Sequence, residues 1–396
     1  MKEGIQITDE VFIRLIDYIE HENYKGYDPY DYLNSWIPFR WFGKMVQAIV
    51  VQAGKLIPLN LRPILGIKKD EIPKGLGIML RAYSILYRKS CNANYLEKAH
   101  CLFERLMVLR SQSKYACWGY NFVWANPDIV HPKYMPSSVV TSFVAQGIYE
   151  YYLITKAPKA KEVLISASDY IRNSIICTEI DGEICYSYTE EGASCCYNAS
   201  LLAAELLAIH YKLTDDPQLK PMIISALRYV LSKQYEDGHW GYSIDINTGR
   251  ERMQTDFHQG FILCSLEHIK TLLELKDPML EDSIRKGLSY YKSQQFFDNG
   301  QSLWRLPKVY PVEIHNQAQG IITFCELSKY ELEYHEFSKK ICSWTINNMR
   351  HNSGYFYYRK FKYYTNKISY MRWSNAWMFL AFSLLLTSNN KSEESK

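Results

Sequence analysis

About every 60 residues this chain returns to a helix with no polar side. Gly260-Phe-Ile-Leu-Cys-Ser-Leu266 and Ala376-Trp-Met-Phe-Leu-Ala-Phe382 are the plainest copies, and such helices need cover all round. Copies begin near Pro73, Ser142, Asn198, Gln259, Gln319 and Asn375. Each alternates with an amphipathic partner that carries a charged stripe, such as Leu219 to Lys233 or Met279 to Lys292. Six apolar inner helices and six striped outer ones predict an all-α fold, an (α/α)6 toroid of six helical hairpins. An open solenoid is the competing architecture; the copy number and the inner–outer contrast favour the closed ring.

The connections are unequal. Inner-to-outer turns are short, around Thr155–Lys159, Thr214–Gln218 and Lys276–Pro278. Outer-to-inner loops are long, and they repeat. Ser232-Lys-Gln-Tyr-Glu-Asp-Gly-His-Trp-Gly-Tyr242 is echoed by Ser293 to Trp304 and Asn348 to Tyr357, and more distantly by Cys177 to Tyr188 and Ser113 to Tyr120. These loops gather Trp, Tyr, His, Gly and acidic residues at one end, where the inner helices present their N-termini. With 15% aromatic residues and 33 tyrosines, an aromatic-lined funnel at that end is expected. Such a funnel suits a sugar, whose C–H faces stack on rings while its hydroxyls take polar partners.

The remaining composition narrows the classes. Lys plus Arg is 46 and Asp plus Glu is 42, a net charge of +4 that gives no footprint for nucleic acid. Ten scattered cysteines, with no C-x-x-C pair, read as free thiols in a reducing cytoplasm, with no structural zinc. The start of the chain has no apolar signal core, and the longest largely apolar run, Trp377 to Leu386, is roughly half a bilayer crossing. We expect a cytoplasmic chain with no direct membrane insertion. Residues 1–40 form a segment packing on the barrel, 41–388 form the toroid, and 389–396 form a disordered tail.

Candidate chemical groups cluster in the long loops. Asp256 and His258 stand where a loop enters an inner helix, with Asp256 also well placed to cap it. Glu313 and His315 occupy the matching place one repeat later, so these four are the catalytic candidates. Trp118, Tyr120, Asn121 and Trp124, followed by Asp128, form the most aromatic loop and the expected sugar platform. Tyr188, Asn198, Trp240, Arg372 and Trp373 continue the ring. Asp28 and Asp31 sit in turn chemistry and read either as a structured plug or as carboxylates reaching the funnel. Arg62 offers a cation for a carboxylate or phosphate, or is a surface arginine. No dinucleotide fingerprint, phosphate loop or nucleophile elbow occurs, and no cofactor or metal is expected. The only Asp-rich spot, Asp215-Asp216, lies at the wrong end for isoprenoid cyclisation.

Taken in series, Gly26-Tyr-Asp-Pro-Tyr-Asp with Asn34-Ser35, Asn60-Leu-Arg-Pro, Cys117-Trp-Gly-Tyr-Asn-Phe, Tyr197-Asn-Ala-Ser-Leu-Leu, Asp256-Phe-His-Gln-Gly-Phe and Arg372-Trp resemble one family. It comprises the bacterial and archaeal polysaccharide biosynthesis proteins found with exopolysaccharide, capsule and surface-glycan genes. The resemblance runs from about Gly26 to Leu386. It implies an (α/α)6 toroid and a part in making or modifying a surface glycan, and it brings no agreed catalytic set. Members often carry Asn at the position of Asp256, which shifts weight to His258. The expected function is hydrolase, lyase or epimerase chemistry on an oligosaccharide or polysaccharide, in lipid-linked form among others. A non-catalytic glycan-binding scaffold is the alternative, and association with other glycan-biosynthesis proteins fits either.

Overall fold

The computed structural model describes residues 2–125 and 130–388, with side chains from Glu10 onward. Its helices are α1 (Lys2–His21), α2 (Lys44–Leu56), α3 (Pro73–Ser90), α4 (Ala93–Val108), α5 (Ser138–Thr155), α6 (Pro158–Asn173) and α7 (Tyr197–Thr214). They continue as α8 (Leu219–Leu231), α9 (His258–Leu272), α10 (Pro278–Gln295), α11 (Ile314–Glu326), α12 (Leu332–Met349) and α13 (Ala376–Ser388). The odd-numbered helices from α3 to α13 each pack on the next, and α13 returns to α3. The (α/α)6 toroid read from the repeats is the fold.

The hairpin turns show why the chain reverses quickly at the far end. After α5, Lys156 takes a left-handed conformation (φ 52°), and Pro158 starts α6 at its first position. Before α10, the Asp277 side chain accepts from the Met279 and Leu280 amides and Pro278 follows it. Inner helices are buried along most of their length, α13 through Trp377, Phe379 and Phe382. Each of these rings contributes about 1.5–3 kcal/mol by leaving water. The α3 and α5 backbones approach closely. A Cβ on Gly147 would stand 2.1 Å from the Gly77 carbonyl oxygen, so only glycine fits there.

The outer partner of α13 comes from the opposite end of the chain. It is α1, whose Phe12 stacks on Phe379 at 5.8 Å and meets Phe382 edge-on at 6.2 Å. Deeper in the ring, an ionic brace joins five inner helices. Arg81 (α3) holds Glu326 (α11) at 2.5 Å, and His268 (α9) bridges Glu326 at 3.2 Å and Glu205 (α7) at 2.8 Å. Glu205 also accepts from Gln146 (α5) at 2.8 Å and Ser265 at 2.7 Å.

Small antiparallel sheets stiffen the long loops. Residues 177–180 pair with 183–186, and 195–196 with 243–244 and then 251–252. Residues 312–313 pair with 357–360, which pair in turn with 365–369.

Candidate functional site

The long loops deliver their side chains by a simple alternation. In Trp118-Gly-Tyr120 and Trp240-Gly-Tyr242 the Trp turns into the core, and the Tyr two residues on turns towards the funnel. Trp118 Nε1 donates to the Leu106 carbonyl at 2.8 Å, and Trp240 Nε1 donates to the Val230 carbonyl at 2.9 Å. Both indoles are wholly buried with their polar atom satisfied. This corrects the expectation that Trp118 and Trp240 line a sugar platform: each pins the end of an outer helix instead. Tyr186 and Tyr188 repeat the pattern in the next loop, the first buried and the second at the rim.

The rim closes into a belt. The Arg372 guanidinium lies 4.9 Å from the Tyr120 ring and 5.0 Å from Trp373. Tyr120 meets Tyr188 through their hydroxyls, and Trp124 stacks 6.1 Å from Tyr188 and 5.0 Å from His131. Tyr242 meets the His258 ring edge-on at 4.8 Å. Phe257 follows, 4.2 Å from His258 and 6.1 Å from Trp373. A π-helical turn, Met371–Asn375, sets Arg372 and Trp373 at the mouth of α13.

Two imidazoles flank Phe257. His258 is at the first position of α9; its Nδ1 lies 2.5 Å from Asp256 Oδ1. Asp256 also accepts from Gln254 Nε2 at 2.8 Å and Arg305 Nε at 3.2 Å. Burial pushes the Asp256 carboxyl up, but His258 and Arg305 outweigh it and hold it below the usual range. An ionised Asp256 only accepts, so His258 carries its proton on Nδ1 and turns Nε2 elsewhere. The residue at the cap position is Phe257, not Asp256; Asp256 instead receives the His258 amide at 3.2 Å.

His315, in the first turn of α11, lies on the other side. Its ring is 4.2 Å from Phe257 at 10°, and 4.8 Å from both Trp373 and Trp377. It is 1% exposed, and neither nitrogen has a hydrogen-bond partner among the described residues. Burial, with Lys74 and Arg372 nearby, holds it well below the ordinary histidine range, so it is neutral.

The other predicted residues are closed off by one another. Arg372 grips Asp28 through two bonds of 2.6 and 2.8 Å. Arg62 holds Asp31 at 2.6 Å and the Asp28 carbonyl at 2.6 Å, wedged beside the Tyr32 ring at 4.2 Å. Asp28 and Asp31 therefore plug the ring, and Arg62 is neither a surface residue nor free to bind an anion. Glu313 accepts from Arg359 at 2.6 Å and Trp373 Nε1 at 3.0 Å. Asn121 donates to the Glu71 carbonyl at 2.9 Å, and Asn198 receives the Cys196 thiol at 3.0 Å. Asp128 lies outside the described residues.

Tyr242 and Lys74 are among the site residues that the sequence analysis did not name. Tyr242 was signalled by its match to Tyr120 in the repeated Trp-Gly-Tyr. Lys74 sits in the first turn of α3 with its ammonium 4.1 Å from the Phe143 ring and 5.6 Å from Trp377. A cation there opposes the helix dipole, which was the available signal. Burial, then Arg372, holds Lys74 well below its ordinary range. Among the described residues no group of three or more His, Cys, Asp or Glu is arranged to hold a metal ion.

The architecture is that of known sugar-acting proteins. Cellobiose 2-epimerase from Bacillus thermoamylovorans superposes with a TM-score of 0.62 at 14% identity, over 80% of this chain and 87% of that one. The GH76 α-mannanase of Bacteroides thetaiotaomicron gives 0.62 at 13%, over 84% and 90%. A D-mannose isomerase gives 0.60 at 12%, over 80% and 87%. This chain shares their fold. No family model and no curated protein matches its sequence.

Proposed function

We propose that this chain is a carbohydrate-active enzyme that moves a proton at a sugar carbon next to a carbonyl, as an epimerase or isomerase. One observation carries the reading. His258 and His315 flank Phe257 under the aromatic belt, while among the described residues the four buried carboxylates of that end, Asp28, Asp31, Asp256 and Glu313, are each held by a cation. Glycoside hydrolysis needs a carboxylic acid that stays protonated near neutral pH and a second open carboxylate. Asp256 is shifted the opposite way and Glu313 is clamped; Asp31, which burial pushes up to about 6, has both oxygens taken by Arg62 and the Asp28 amide. The two guanidiniums read from the sequence as holders of a uronate carboxylate, Arg62 and Arg372, are both engaged.

In the proposed reaction the open-chain aldose lies against the belt. The neutral His315 takes the proton from C2, and the C–H electron pair moves into the carbonyl to give an enediolate. Lys74 and the inner-helix N-termini face the developing negative charge. His258, entering as the imidazolium that Asp256 stabilises, returns a proton from Nε2, and exchange with solvent resets both rings. Return to the opposite face of C2 gives the epimer; return to C1, with the O2 hydroxyl proton passing to O1 as the C2 carbonyl forms, gives the ketose. The chemistry needs a free reducing end, so the free sugar or oligosaccharide is the proposed substrate rather than its lipid-linked form. The polysaccharide-biosynthesis resemblance supports a role in surface-glycan supply, and the ten free cysteines support a reducing cytoplasm.

Incubation of the purified protein with reducing mono- and oligosaccharides in deuterated water tests this. A C2 epimer or ketose carrying one solvent deuteron is expected, with no chain cleavage. Hydrolysis, an unsaturated product, or saturable binding with no exchange would overturn it.

A further inference from the structure

Helix α2 shows its apolar side to solvent. The inward face is Gln47, Ala48, Val51 and Gly54. On the opposite face Met45, Val46, Ile49 and Leu56 share one stripe and are between 41% and 60% exposed. The chain before α2 adds Trp36 at 71%, Trp41 at 88% and Phe42 at 52%, and the chain after it adds Leu59 at 67% and Ile64 at 76%. The helix is nonetheless firmly set. Gln47 Nε2 donates to the Phe42 carbonyl at 2.9 Å, and Gly54 lies so close to Tyr32 that a Cβ would stand 2.2 Å from its ring. Apolar exposure on this scale marks an interaction surface.

The charge along this stretch of chain has one sign as far as Asp70. From Ser35 to Lys69 the sequence holds Arg40, Lys44, Lys55, Arg62, Lys68 and Lys69 and no Asp or Glu. Arg40, Lys44, Lys68 and Lys69 are exposed. A cavity of about 380 Å³ opens beside Leu59, lined by Lys25, Lys69 and Lys367 and by no carboxylate; Lys69 there is bridged to Glu22 at 2.6 Å. A second copy docking through this face would set cation against cation. A surface that is apolar within and negative outside matches both features at once.

We propose that this face docks onto an anionic lipid bilayer. The α2 stripe and the flanking tryptophans enter the headgroup boundary, and the lysines meet acidic headgroups. The chain rests on the membrane without crossing it, and no described helix is long and apolar enough to span one. The docked face adjoins the funnel, because Lys55 lies 4.5 Å from the Tyr30 ring and Tyr30 lies 5.5 Å from Trp373.

Co-sedimentation of the full chain with phosphatidylcholine vesicles containing about 30% phosphatidylglycerol tests the proposal. Binding is expected, at least tenfold weaker to pure phosphatidylcholine and weakened again at about 0.5 M salt. Ile49→Asp and Trp41→Ser, both at exposed positions, each lower it at least tenfold and leave the melting temperature and circular dichroism unchanged. No binding to either vesicle, binding that both variants retain, or a solution dimer that Ile49→Asp splits into monomers overturns it. The assay contains no sugar, so its failure leaves the proposed reaction untouched.

Discussion

The His315 imidazole lies parallel to the Phe257 ring at 4.2 Å, with both its nitrogens unbonded by the described protein. A buried group that makes no hydrogen bond is held against stability. His315→Leu therefore keeps or raises the melting temperature while lowering solvent-deuterium incorporation by about 10²–10⁴-fold. Thermal melts and exchange rates on one preparation check both. A His315→Leu protein with full turnover removes His315 from the reaction.

Asp28 and Arg372 form the most buried ion pair of the site end, and each is a poor neighbour without the other. Arg372→Leu or Asp28→Leu alone costs about 3–5 kcal/mol, because an uncompensated charge stays buried. The double variant costs less than the sum. A urea-unfolding cycle measures the coupling, and strict additivity would contradict the pairing.

The brace at His268 predicts how stability follows pH. Burial works against its charge, but Glu205 and Glu326 win and push it up to about 10. The folded value exceeds the unfolded value of about 6.5, so its contribution is complete below that pH and is lost as pH rises through about 10. Glu326 runs the other way. Burial raises it, yet Arg81 and His268 bring it to about 2, so its contribution is lost as pH falls through about 2. Melting temperatures across alkaline pH should fall more steeply in the parent chain than in His268→Gln. Equal slopes refute the assignment.

Gly147→Ala forces a methyl towards the Gly77 carbonyl, and α3 and α5 must part. The expected loss is about 1–3 kcal/mol by chemical denaturation. An unchanged midpoint would show that the ring tolerates wider spacing than it displays.

Trp118 and Tyr120 separate core from site within three residues. Trp118→Ala costs about 3–5 kcal/mol by leaving a cavity and an unpaired Leu106 carbonyl. Tyr120→Leu leaves unfolding little changed and weakens sugar binding, as titration calorimetry would show. The reverse pattern would return Trp118 to the platform.

The ring of hairpins was legible because it repeats. Burial on every side leaves a mark on each inner helix, and six copies of that mark specify closure. Asp256 and His258 were legible as a pair because they stand two residues apart at one helix start. Asp28 and Arg372 were not, since 344 positions separate them and charge alone does not name a partner. Tryptophan misled the reading for a different reason. Its N–H needs an acceptor, and a carbonyl at the end of the preceding outer helix supplies one as readily as a sugar does.

The packing of α1 behind α13 has a consequence for biosynthesis. On the ribosome α1 emerges before every inner helix, and its Phe12 waits for Phe379 until all the other hairpins have been made. Closure of the ring therefore waits for α13, and until then the growing chain is an open arc. The same adjacency of first and last helices marks this molecule for circular permutation: a linker from α1 to α13, with new ends cut in a short outer turn such as 214–219, would let closure be built early and the seam moved elsewhere.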